Sequence, residues 1–161
     1  MASTPLPPPA PTPSLPEAGT QGPGTSQGGQ GLSIPINGGS SISTRDFLSD
    51  TQTISDPNNP GYYYLGYHQS TGPEDEAATV APPYVISYIA STHYFNIGLY
   101  KEPIGQTRRD AEQYLLKALG VGQNDLCTLK YMLSVPEDVN SVYAGQNLGF
   151  SFCPGAVKLP E

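Results

Sequence analysis

The chain has 161 residues, with 18 glycines, 18 prolines and a net charge of −7. Its length fits one domain with an appendage, and so much Gly and Pro beside so little charge places part of it outside any packed core. Seven Lys and Arg against fourteen Asp and Glu argue against nucleic acid or an anionic membrane surface as partner, since such binding depends on basic side chains displacing condensed counterions.

Residues 1–40 hold nine Pro, eight Gly, one charged residue and no aromatic, too little apolar surface to offset the entropy of ordering, so a disordered linker is expected there. Its first part, Thr4 to Pro16, favours extended polyproline II, and Gly19 to Gly31 a flexible coil. Pro8 to Pro11 has the PxxP spacing of an SH3-type ligand, but a spacer is the reading preferred for it. Residues 41–82 read as a turn-rich transition segment, punctuated by Asp56-Pro57-Asn58-Asn59-Pro60-Gly61 and Ser70-Thr71-Gly72-Pro73, with Tyr62 to Tyr67 as an edge strand that packs on the domain without a core of its own. The net negative charge falls between Asp46 and Tyr100, where six acidic residues meet no Lys or Arg, as on a solvated surface.

From residue 83 to 161 the pattern is that of an α+β domain. Tyr84 to Ala90 and Tyr94 to Tyr100 alternate as strands joined by a Ser91-Thr92-His93 turn. Pro103 suits a helix start, Ile104, Thr107, Ala111, Leu115 and Leu119 recur at helical spacing, and Gly120 suits a left-handed C-terminal cap. Cys127 to Val135 alternates as a strand, and Leu148 to Cys153 reads as a last one. The expected architecture is a mostly antiparallel β-β-α-β-β sheet with one amphipathic helix packed on it.

Cys127 and Cys153 are the only cysteines. An even count without CxxC spacing in a small domain favours a disulfide, and with it an oxidising compartment; the competing reading is two buried thiols.

Chemistry-bearing patterns are sparse. His68 and His93 are the only histidines, and neither stands in a nucleophile context such as GxSxG. Four Cys and His spread over positions 68 to 153 do not form a zinc set, and no metal site is expected. The Asp56 to Asn59 turn and Glu74-Asp75-Glu76 offer oxygens for calcium without matching an EF-hand loop. The glycines near the N-terminus lack the strand and helix that flank a phosphate cradle. Eight of the eleven tyrosines fall between Tyr62 and Tyr100. Tyrosine combines large contact area with low ordering cost, which makes Tyr62, Tyr63, Tyr64 and Tyr67 a candidate binding surface for a peptide, glycan or partner subunit, or else half-buried strand-edge residues.

Phe95 to Gly105, the helix with Arg108, Ala111-Glu112 and Leu115, and the ending Val139 to Gly155, with its Tyr143-Ala144-Gly145-Gln146-Asn147-Leu148-Gly149-Phe150-Ser151-Phe152-Cys153-Pro154-Gly155 run, resemble a family of uncharacterised proteins from candidate-phyla bacteria of Patescibacteria type. The resemblance spans about residues 83 to 160. It implies a membrane-anchored, outward-facing domain on a Pro-rich linker and carries no catalytic residues; the chain departs from it in having no hydrophobic N-terminal segment.

The expected function is thus a non-catalytic extracytoplasmic interaction or structural domain on a Pro-rich stalk, without cofactor, whose partner is a protein or glycan at the cell envelope. No transmembrane segment is expected, so any membrane association would come through an anchor outside the chain. The competing expectations are a small hydrolase using His68 or His93 and a cytoplasmic adaptor.

Overall fold

A computed structural model of the chain describes residues 31–66 and 81–160. The polyproline run, the Pro8 to Pro11 motif, Tyr67, His68 and Glu74 to Glu76 lie outside the described residues.

The first element is a hairpin of β1 (Leu32–Pro35) and β2 (Ser41–Thr44), paired from Leu32↔Thr44 to Pro35↔Ser41. Its turn needs two successive left-handed residues, and Gly38 (φ 97°) and Gly39 (φ 87°) supply them without a Cβ clash. A hairpin therefore starts inside the segment expected to be linker. The Gly pair that lowers the apolar content of residues 31–40 is the turn of a hairpin, and Ile34 on β1 is 1% exposed.

A five-stranded sheet comes next, in the order β3 (Thr53–Ser55), β4 (Tyr62–Leu65), β5 (Tyr84–Ile89), β6 (Tyr94–Leu99), β7 (Lys130–Ser134). The first three pairings are antiparallel and β6–β7 is parallel. A parallel neighbour requires a crossover, which α1 (Ile104–Leu119) and the single turn α2 (Gln123–Leu126) provide. The fold is α+β with mostly antiparallel strands and one main helix on the sheet. The Tyr62 segment is not an edge strand: β3 pairs with its far side, because Asp56 to Gly61 form a turn that folds β3 back on it.

α1 has Pro103 as its N-cap, and the Glu102 carboxylate accepts from the Ile104 N–H at 2.7 Å, an anion where the helix dipole favours one. Ile104, Thr107, Ala111, Leu115 and Leu119 are buried as the spacing predicts, and Gly120 closes the helix at φ 66°, its N–H donating to the Leu116 carbonyl.

The core lies between α1 and one sheet face, where Leu65, Ile86, Tyr88, Phe95, Ile97, Leu99 and Leu133 meet Ala111, Leu115 and Leu119. Phe47, in the loop after β2, is fully buried there with its ring 5.1 Å from Tyr88. The segment between β2 and β5 thus contributes to the main core.

Two further expectations are corrected. Alternation from Cys127 to Val135 is real on the core side, with Leu129, Leu133 and Val135 buried, but the strand begins at Lys130 and Cys127 ends α2. Leu148 to Cys153 does not form a strand. Gly149, at φ 69°, turns the chain away after Leu148 N–H has donated to the Leu133 carbonyl at 2.8 Å. The chain end is instead an irregular tail that buries Leu148 and Phe150.

Candidate interaction surface

Side chains alternate along a strand, so the residues between those of the core emerge on the face opposite α1. Register sets them in rows. Tyr62, Ile89, Tyr94 and Lys130 are successive cross-strand partners, and Asp56 extends the row, its N–H donating to the Tyr62 carbonyl at 2.9 Å. Ile54, Tyr64, Ser87, Asn96 and Met132 form the next row. Beyond these lie Val85 and Gly98, where the Tyr100 ring is so close that a Cβ would sit 2.7 Å from it.

None of these residues belongs to the core or packs against it. Tyr62 is 39% and Tyr100 47% exposed; the others except Asn96 shield one another to half-buried. At the β3 side Ile54, Ser55, Asp56, Pro57, Asn58, Tyr64 and Val85 line a shallow groove of about 390 Å³.

Of the tyrosines singled out from sequence, Tyr62 and Tyr64 lie on this open face. Tyr63 points the other way, its ring 6.4 Å from Tyr88, since adjacent strand residues cannot share a face. Tyr94, Tyr100 and the aliphatic residues of the rows were not singled out. Period-2 alternation in β5 and β6 was the available signal, but the rows appear only once register is known.

The Asp56 carboxylate is the anchor of the β3–β4 turn. It accepts from Asn58 N–H at 2.8 Å, Asn59 N–H at 3.3 Å, Asn59 Nδ2 at 2.9 Å and the Tyr64 hydroxyl at 3.4 Å. These donors, the Asn59 side chain foremost, hold its pKa below the ordinary carboxylate value. Both oxygens are occupied by donors, which is turn chemistry and not a cation cradle. Among the described residues no three His, Cys, Asp or Glu side chains converge as metal ligands.

His93 sits in the β5–β6 turn at φ 53°. Its Nδ1 is 2.8 Å from the hydroxyl of Tyr88, a side chain 3% exposed whose pKa burial pushes up. Among the described residues no serine, cysteine or carboxylate hydrogen-bonds His93.

A second polar cluster joins α1 to the tail. Arg108 and Glu112, 6% and 2% exposed, form an i,i+4 pair at 3.7 Å. Arg108 Nη1 donates to the Val157 carbonyl at 2.8 Å, and Glu112 accepts from both N–H and Oγ of Ser151. Burial lowers the Arg108 pKa, and the Glu112 charge opposes that shift. Nearby, Cys127 and Cys153 are joined as a disulfide with Cα atoms 5.6 Å apart, a separation suited to a bridge. No described helix is long and apolar enough to cross a membrane.

The open face can therefore engage a flat partner through rings, aliphatic side chains and tyrosine hydroxyls, and it presents no nucleophile–base pair among the described residues. The chain matches no protein-family model, no curated protein and no solved structure.

Proposed function

We propose that this chain is a non-catalytic interaction or structural domain of the extracytoplasmic space, which engages a protein or glycan partner through the open face of its sheet. One observation carries the reading: the face opposite α1 holds Tyr62, Tyr64, Tyr94 and Ile89 in register, with no described element of the core on it. Tyrosine rings offer a large contact area at low ordering cost while their hydroxyls stay satisfied in water until a partner arrives. The Cys127–Cys153 pair supports an oxidising compartment. The Pro-rich first thirty residues support display at a distance from a surface, as does the resemblance to outward-facing domains.

Thiol labelling of protein isolated from its native host tests the compartment. Labels that enter only after reduction are expected; labels entering the unreduced, unfolded chain would remove the extracytoplasmic assignment. Retention on cell-envelope material tests the face, with loss expected for Tyr62→Ala combined with Tyr94→Ala. Unchanged retention would place the binding surface elsewhere.

A further inference from the structure

The two rows on the open face have a symmetry that a binding surface for an unlike partner does not need. β5 is the middle strand of the sheet. A twofold rotation about an axis parallel to β5, lying just above the open face, returns β5 to itself, exchanges β4 with β6 and exchanges β3 with β7. In the first row that operation sets Ile89 against Ile89 of a second copy, Tyr62 against Tyr94, and Asp56 against Lys130. In the second it sets Tyr64 against Asn96 and Ile54 against Met132. Aromatic meets aromatic, aliphatic meets thioether, and acid meets base.

Resting on the reading of this face as a binding surface, we infer that its occupant is a second copy of the chain. The two sheets stack face to face about that axis, and the negative charge of Asp56 in each copy lies opposite the positive charge of the partner's Lys130, an attraction across space that leaves the turn's hydrogen bonds in place. A twofold interface must be self-complementary in this way, because one patch serves both sides. Stacked sheets sit about 10 Å apart with strands nearly aligned, a gap that Tyr, Met and Ile side chains fill. Lys130 has no ion pair among the described residues. Asp56 stays ionised at neutral pH, consistent with the donors around it. Four interstrand steps of about 4.8 Å make the patch roughly 19 Å wide, small for a permanent dimer, so the association is weak and reversible.

Sedimentation equilibrium of the full oxidised chain, from about 1 µM to about 1 mM, is the test. The wild type is expected to pass from monomer to dimer within that range. Ile89→Arg places two guanidinium groups together on the axis and should leave only monomer. Lys130→Glu should weaken association by more than about tenfold, because it faces the partner's Asp56 with a like charge. Adding Asp56→Lys to it should restore the dimer. Since Asp56 also anchors a turn, Asp56→Asn, which keeps an acceptor and removes the charge, is the second variant, with a several-fold weakening expected. Far-UV circular dichroism of each variant checks that it is folded.

A wild type monomeric throughout, or a dimer indifferent to both Ile89→Arg and Lys130→Glu, overturns the inference. So does a monomer whose open face cross-links to the chain before Gly31, which would assign the face to the N-terminal arm. If self-association is absent while Tyr62→Ala with Tyr94→Ala still releases the protein from envelope material, the dimer is wrong and the interaction reading stands.

Discussion

Arg108 and Glu112 face the core from α1 at 6% and 2% exposure, where one charge without the other is costly. Arg108 Nε has no hydrogen-bond partner and relies on the Glu112 carboxylate 3.7 Å away. Glu112→Ala is expected to lower stability by about 3–5 kcal/mol, because it strands a buried guanidinium and frees Ser151 as well; urea unfolding measures it. Apolar periodicity alone cannot find such a pair. Both residues occupy positions on the buried side of the helix, yet a pattern that counts only aliphatic and aromatic side chains passes over them. The candidate surface divides along similar lines. Tyr62 and Tyr64 were legible as surface tyrosines, Tyr63 takes the opposite face by alternation, and Lys130 or Met132 join the surface only through the β6–β7 register.

The strands show which elements can be read from local sequence. β5 and β6 alternate cleanly and their connection is short, so each was evident. β7 ends the sheet, and its outer edge would offer bare backbone groups to another chain. Asn147 covers it: Oδ1 accepts from the Leu133 N–H at 3.1 Å while Nδ2 donates to the Tyr131 carbonyl at 3.1 Å. One amide side chain thereby imitates the peptide group of a further strand. Asn147→Ala is expected to cost about 1–3 kcal/mol by leaving those groups unpaired, and hydrogen exchange should accelerate at the Leu133 amide. This substitution of side chain for backbone also explains why Leu148 to Cys153, apolar and aromatic enough for a strand, does not form one. The opposite edge is kept short by different means, since β3 has three residues and Pro57 stands two positions beyond its end.

Across the whole molecule, covalent and ionic constraints set the conditions under which the fold persists. The disulfide spans a separation of 26 residues, for which chain entropy predicts about 3.5 kcal/mol of stabilisation. Reduction, or Cys127→Ser with Cys153→Ser, should lower the urea midpoint accordingly. Burial raises the pKa values of the Tyr84, Tyr88 and Tyr114 phenols above their ordinary value of 10.0. A neutral form favoured by folding contributes stability that is complete below the unfolded pKa and is lost as pH rises through the folded one. The fold should therefore weaken above pH 10, with these three phenols the last to ionise in a tyrosinate absorbance titration. Asp56, lowered from 3.8, acts in the opposite direction: its turn should loosen as pH falls below that value.

The bridge also decides how the domain responds to a pull. Tension entering at the C-terminal end reaches Cys153 and passes directly to Cys127, so the polypeptide from Thr128 to Phe152 is slack in the oxidised protein. β7 and its Asn147 clasp lie within that slack loop and feel the force only once the sulfur–sulfur bond is cut. Reduction under tension would then release about 25 residues, some 80 to 90 Å of extended chain. A thiol donor would thus turn a short, stiff attachment into a long, compliant one.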